Sequence, residues 1–154
     1  MPKKPTAADA QLILQLYDLR REPEIRKARN WWLVNFWPNT ADDFIKVASA
    51  MGTQENAWFR QVAGYWDMAA ALVLHGTIHS ELFLEGGISG EMFFIYAKIQ
   101  PLLKELREKM QSPGLFNNVE KVTMSSKTGR ERLKMITARV ESRRKALAET
   151  AKAG

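Results

Sequence analysis

The stretch AWFRQVAGYWDMAAALVLHG, residues 57–76, is the longest and most apolar helical pattern in the chain. Two adjacent apolar stripes run along it, each with steps of four, three, four and three residues that keep its members on one face of a helix. The stripes are Trp58, Val62, Tyr65, Ala69, Leu72 and Phe59, Ala63, Trp66, Ala70, Val73. A helix that is apolar over most of its circumference is normally packed by neighbours on several sides. The pattern therefore predicts a central helix over about residues 54–75.

Helix start and stop signals flank this stretch on both sides. Three threonines precede apolar-periodic runs and are predicted N-caps: Thr6, Thr40 and Thr53. Pro23 suits the first turn of another helix, and Pro101 predicts a kink, or a break into two helices, within a long helix near residues 90–110. No stretch alternates convincingly with period two. These signals predict an all-α, single-domain bundle of about six or seven helices around the central helix.

Small and polar residues punctuate the region between the central helix and the next long helix. Thr77 is predicted to cap a short helix, and the pair Gly86-Gly87 to end it. Ser89 is then predicted to cap the long helix that contains Pro101.

Composition excludes several classes of protein. The chain has 154 residues, of which 45% are hydrophobic, and no cysteine. This excludes disulfides, thiol catalysis and Cys-ligated zinc, and it fits a reducing compartment. The longest apolar run is the seven residues 68–74, against the ~20 that a membrane span needs. We therefore expect a soluble, cytoplasmic protein without a membrane span.

The net charge of +6 is concentrated at the C-terminal end. Residues 1–118 hold thirteen Lys+Arg and thirteen Asp+Glu, whereas residues 119–154 hold ten basic and four acidic residues. With the capping signal at Thr6 and the weak point at residues 125–129, this asymmetry divides the chain. We predict a flexible tail over 1–5, a helical domain over 6–124 and a basic C-terminal helix over 125–154, either docked on the domain or projecting from it.

The basic end is a candidate for contacts with nucleic-acid phosphates. Its candidate residues are Lys127, Arg130, Arg132, Lys134, Arg139, Arg143, Arg144 and Lys145. Around a helix they spread over several faces and are diluted by acidic residues, which favours a solvated helix that docks by a thin apolar stripe. The narrow stripe also resembles a coiled-coil seam and allows self-association.

Four polar residues are candidates for catalysis: Asp67, His75, His79 and Glu81. The two histidines are four residues apart, but Gly76 between them is expected to end a helix, so the spacing does not place both rings on one face. His75 is expected to cap a helix C-terminus and His79 to lie on the surface. Asp67 is expected to be solvated or to pair with a cation of the second helix, Arg26 or Arg29.

Five tryptophans are many for a chain of this length. Stacking of nucleic-acid bases beside Arg26, Arg29 and Arg60 is one interpretation, and core packing is the favoured one. Trp31 and Trp32 point in different directions on a regular helix. One of them is therefore expected at a subunit interface or under a neighbouring loop.

One part of the chain resembles a known family. The order YWDMAAALVLHGTIHSELFLE (65–85), a short break, and FFIYAKIQPLLKELREK (93–109) before a basic end resembles a family of uncharacterised bacterial helical domains, classified only as a domain of unknown function. The likeness covers about residues 62–110. It implies a bacterial helical domain and supplies no activity and no functional residues.

The predicted function is a non-catalytic module for protein–protein interaction or self-association, with a second copy or another protein as partner. The alternative is a nucleic-acid-binding protein that uses the basic C-terminal segment. An enzyme using the four polar candidates above is the third hypothesis. No phosphate loop, nucleophile elbow or Cys/His cluster occurs, so no cofactor and no metal are expected.

Overall fold

The computed structural model of the chain describes residues 3–154, which form α-helices joined by short connections and no β-strand. The predicted all-α fold is confirmed. The helices are α1 (Ala7–Leu19), α2 (Pro23–Asn30), α3 (Ala41–Ala48), α4 (Gln54–Leu74), α5 (Ser80–Phe83), α6 (Gly86–Ile99), α7 (Leu103–Lys109), α8 (Asn117–Met124) and α9 (Lys127–Ala153). Of the predicted tail 1–5, residues 1 and 2 lie outside the described part of the chain.

The central helix is α4, which packs against α2, α3 and α8. Thr53 caps it by accepting a hydrogen bond from the amide of Asn56 (3.2 Å), and Gly76 follows its end with a φ of +72°, a value that glycine adopts without strain. The Asn56 side chain is buried and donates to two carbonyls at the end of α3, those of Val47 and Ala48. The start of α4 therefore also ends α3.

Three further predicted helix starts are confirmed, and two others are corrected. Thr6 and Thr40 form capping boxes, and Pro23 begins α2. The cap of α5 is His79 rather than Thr77, because its ring nitrogen accepts from the amide of Leu82 (3.3 Å). The next helix begins at Gly86, so Ser89 is a buried residue inside α6 and not its cap.

Pro101 interrupts the long helix as predicted, through a short 3₁₀ turn. α6 ends at Ile99, the turn spans Gln100–Leu102, and α7 continues from Leu103. The proline ring lacks an N–H and blocks the α-helical hydrogen bond, and the tighter 3₁₀ turn accommodates this.

A π-helical turn, Trp31–Asn35, continues α2 and corrects the expectation for the paired tryptophans. Both are buried, Trp31 at 8% exposure and Trp32 at 0%. Each contacts one of two consecutive aromatic residues of α4: Trp31 lies 6.3 Å from Trp58 and Trp32 5.5 Å from Phe59, between ring centroids. Both apolar stripes of α4 thus cover this turn, and neither tryptophan is left for an interface.

Candidate functional site

The basic C-terminal segment forms α9, a helix of 27 residues that is about 40 Å long at 1.5 Å per residue. Ser126 caps it, and its buried apolar residues Leu133, Ile136 and Val140 face the body, where α9 packs against α6 and α8. Beyond Val140 only Arg144 and Leu147 are half-buried, and the other residues are exposed. The first half of α9 is therefore docked, and residues 141–153, here called the arm, mostly face solvent.

The eight basic candidates on α9 divide into two groups. Six are exposed: Lys127, Arg130, Lys134, Arg139, Arg143 and Lys145. The other two turn toward the body. The guanidinium carbon of Arg132 lies 5.8 Å from the centroid of the Phe93 ring, and that of Arg144 lies 5.7 Å from the Trp37 ring. The helix therefore offers exposed cations along its length but no single continuous basic face.

Arg144 attaches the arm to the loop after the π-helical turn. Its Nη1 donates to the carbonyl of Pro38 (2.8 Å) and to the side-chain oxygen of Asn39 (2.9 Å), and its Nη2 donates to the carbonyl of Lys98 (3.2 Å). Burial lowers the pKa of Arg144 from its ordinary value. These hydrogen bonds join three parts of the chain at one side chain.

Lys98 lies beneath Arg144 and is fully buried. Its ammonium donates to the carbonyls of Trp32 and of Phe36, the latter at 2.6 Å, and lies 4.5 Å from the centroid of the Trp37 ring. In a regular α-helix the Trp32 carbonyl would accept from the amide of Phe36, but in the π-helical turn that amide donates to Trp31 instead (2.9 Å). Lys98 therefore satisfies a carbonyl that the π-helical turn leaves free.

No carboxylate of residues 3–154 lies within 4.0 Å of the Lys98 ammonium. Burial, and to a lesser extent the charge of Arg144, lowers the pKa of Lys98 from 10.5 to about 7. Lys98 lies within the apolar run FFIYAKI, and this position is the signal that could have identified it as a buried lysine from the sequence.

The polar candidates do not form one site. His79 and Glu81 line a shallow pocket with Asp9, whereas Asp67 lines a different pocket and His75 is exposed. Nδ1 of His79 caps α5, and its Nε2 contacts the carbonyl of Lys3. Both ring nitrogens thus have structural partners. Within residues 3–154 no group of three metal-ligating side chains is present.

Asp67 does not form the ion pair with Arg26 or Arg29 that the sequence suggested. Its Oδ2 accepts a hydrogen bond from the side-chain amide of Asn118 in α8 (3.1 Å). Arg29 pairs instead with Glu91 in α6 (2.7 Å), a carboxylate whose side chain is only 7% exposed. Of the two predicted alternatives for Asp67, the ion pair with α2 is therefore not formed, because α8 rather than α2 covers the polar edge of α4.

No helix in the described part of the chain is long and apolar enough to span a membrane. The model of a protein family known as a domain of unknown function, DUF4760, matches residues 5–126. The match includes α1–α8 and ends just before α9. No curated protein and no solved structure matches the chain.

Proposed function

The chain belongs to DUF4760, a family of unknown function, and we propose that this protein is a non-catalytic binding module whose contact element is the arm of α9. The observation that supports the proposal is the exposure of residues 141–153, of which only Arg144 and Leu147 approach the body. Most of the stability of a helix in a protein comes from tertiary packing, and the arm has little packing within the chain. A partner that covers it would supply that packing.

The sequence of the arm favours a protein partner, and a second copy of the chain in particular. Leu133, Val140 and Leu147 are spaced by seven residues, the repeat of a coiled-coil seam. The first two are buried against the body, whereas Leu147, which continues the stripe on the arm, is only half-buried and keeps apolar surface for a partner. Acidic Glu141 and Glu149 alternate with basic residues there, which suits pairing with another helix of mixed charge.

Self-association is tested by the mass of the full chain in light scattering from low to high micromolar concentration. We expect a concentration-dependent dimer, and we expect Leu147→Glu to shift it to monomer because a charge replaces the seam residue. Met135→Glu is the matched control, since Met135 lies on the same helix at 48% exposure and outside the seam. A full chain that stays monomeric at every concentration would contradict self-association.

A second candidate, binding of nucleic acid, is favoured by the charge of α9 alone. Residues 127–154 hold nine Lys+Arg and three Asp+Glu, a net charge of +6, and the remaining 126 residues hold fourteen of each sign. Seven exposed cations, the six exposed candidates and Lys152, lie along about 40 Å of helix and can contact phosphates without reading bases.

Deletion of the whole basic segment cannot test this candidate, because α9 supplies three buried residues to the core. We instead compare two fourfold variants with equal loss of charge. One replaces exposed residues of α9 by Gln (Lys134, Arg139, Arg143, Lys145), and the other replaces exposed residues of the body (Arg21, Arg26, Lys46, Lys104).

Binding to labelled single-stranded and duplex oligonucleotides is measured by fluorescence anisotropy as a function of salt. If α9 binds phosphates, only the first variant reduces the salt dependence, by about 0.9 in the logarithmic slope for each duplex phosphate that it no longer neutralises. Equal effects of both variants, or no binding at low salt, would reject a nucleic-acid site on α9. The lack of cysteine fits a reducing compartment, so a bacterial cytoplasm is the location that we propose for either activity.

A further inference from the structure

A cavity of about 220 Å³ lies between α1, α4 and the start of α6, away from α9 and from the polar candidates. Apolar side chains form most of its wall: Ile13, Leu16, Trp66, Phe83 and Ile88. Tyr65 closes one side, and its hydroxyl donates to the carbonyl of Leu16 (2.6 Å), which fixes α1 against α4. Leu14 and Tyr17, 64% and 52% exposed, lie at the rim.

The wall contains one cation, the guanidinium of Arg20, which is 7% exposed. Its Nε is buried and has no hydrogen-bond partner, and no carboxylate of residues 3–154 lies within 4.0 Å of the group. The guanidinium carbon lies 5.2 Å from the centroid of the Tyr17 ring and 5.4 Å from that of Trp66. Aromatic faces stabilise a cation only partly and do not replace a counter-ion. The charge of Arg20 is therefore not balanced by a neighbouring anion.

Glu91, the carboxylate that pairs with the neighbouring Arg29, forms no salt bridge with Arg20 and has both of its oxygens engaged by other donors. Glu91 accepts from Nε of Arg29 (2.7 Å) through one oxygen and from Nε1 of Trp66 (3.0 Å) through the other. Arg29 also donates to the backbone carbonyl of Arg20 (3.4 Å), which links the two arginines. The cluster therefore holds two cations and one anion, and buried charge is normally paired.

We propose that this cavity binds a small apolar monocarboxylate, with its hydrocarbon part between α1 and α4 and its carboxylate on the guanidinium of Arg20. An anion at this place balances the cluster and accepts the hydrogen bonds that Arg20 does not make within the chain, in the bidentate geometry that guanidinium and carboxylate share. A cavity of 150 Å³ accommodates benzene, so 220 Å³ fits a ligand of about nine non-hydrogen atoms.

The probes are octanoate and phenylacetate, each compared with a neutral analogue of similar shape, 1-octanol and phenylacetamide. Binding is measured by ligand-observed NMR and by the shift of the thermal midpoint of the full chain. The carboxylates are expected to bind at least tenfold more tightly than their neutral analogues, because a hydrogen-bonded charge pair contributes about 1.5–3 kcal/mol. The better of the two acids identifies an alkyl or an aryl ligand. Equal binding of acids and neutral analogues, or no binding of either acid, would overturn the proposal.

Arg20→Met tests the role of the charge. Without ligand this variant is expected to melt at a higher temperature than the natural chain, because it removes an unpaired buried cation and retains an apolar side chain. With ligand it is expected to lose the preference for acids over neutral analogues. Retention of that preference would show that Arg20 is only structural, and would contradict the site.

Two adjacent glycines supply a second test that does not touch the core. Gly87 lines the cavity and Gly86 does not, and a Cβ at either position meets no atom within 4 Å. Gly87→Phe is expected to fill the cavity and abolish binding of the acids, whereas Gly86→Phe leaves binding unchanged. The site would be refuted if Gly87→Phe folded and still bound either acid with the natural affinity.

Discussion

At the scale of single residues, Lys98 places an amino group where solvent does not reach. Burial disfavours its charged form, and the lowered pKa of about 7 expresses this. The same amino group donates to two carbonyls at the end of the π-helical turn. Lys98 is therefore a cap for that turn, which a neutral amine with two N–H groups also provides.

The lowered pKa of Lys98 predicts how stability depends on pH. Between pH 7 and 10.5 the unfolded chain keeps the proton that folded Lys98 has lost, so the free energy of unfolding rises with pH, by up to about 1.4 kcal/mol per unit. Lys98→Met removes this contribution. In urea unfolding across this interval, the free energy of unfolding of the natural chain minus that of the variant should increase with pH.

Lys104→Met is the control for this experiment, because Lys104 is exposed on the neighbouring helix α7. Its difference from the natural chain should stay constant over the same interval. A constant difference for Lys98→Met as well would show that burial does not displace the Lys98 titration.

At the scale of helices, local chemistry explains why so many boundaries were predictable. The caps Thr6, Thr40 and Thr53 accept hydrogen bonds from amides only three residues away, so the sequence contains the whole interaction. The π-helical turn and the cap of α5 were not predicted, because each involves a residue that is far away in the sequence. Lys98 contacts the turn, and Asp9 contacts the α5 cap residue, His79. Asp9 accepts from the amide of His79 at 2.7 Å.

Two adjacent arginines of the arm differ in their contacts, since Arg144 bonds to the body and Arg143 is exposed. Their substitutions can therefore be compared as a variant and its matched control. Arg144→Gln is expected to release the arm, because it removes hydrogen bonds to Pro38, Asn39 and the Lys98 carbonyl. Charge-assisted hydrogen bonds contribute about 1.5–3 kcal/mol, so amide hydrogen exchange after residue 140 should accelerate roughly tenfold or more. Arg143→Gln, at an exposed position, should leave exchange unchanged. Similar exchange in both variants would mean that Arg144 does not hold the arm.

The candidate sites show the limit of reading function from spacing. The scatter of the eight basic candidates around α9 is enough to expose six of them. The partners of Asp67, Arg29 and Arg20 instead depend on which helices meet. A buried charge such as Arg20 looks like any basic residue at a helix end. Only the tertiary arrangement shows that it lacks an anion.

At the scale of the whole molecule, the family match and the folding unit have different boundaries. The match ends at residue 126, but α9 packs against α6 and α8 and contributes buried residues to the common core. The body and the first half of α9 should therefore unfold together, with the arm as an appendage. Two truncations test whether the body depends on α9 for folding.

A chain ending at residue 126 is expected to lose cooperative folding, whereas one ending at residue 149 retains it. The shorter chain lacks Leu133, Ile136 and Val140, which are 5%, 8% and 2% exposed in the full chain. Burial of each contributes about 1.5–3 kcal/mol, so their loss removes much of the ~5–15 kcal/mol that stabilises a domain. The longer chain keeps all three and Leu147. Thermal melts by circular dichroism test this: a chain of residues 1–126 that melts as sharply and at the same temperature as the full chain would show that the family domain folds without α9.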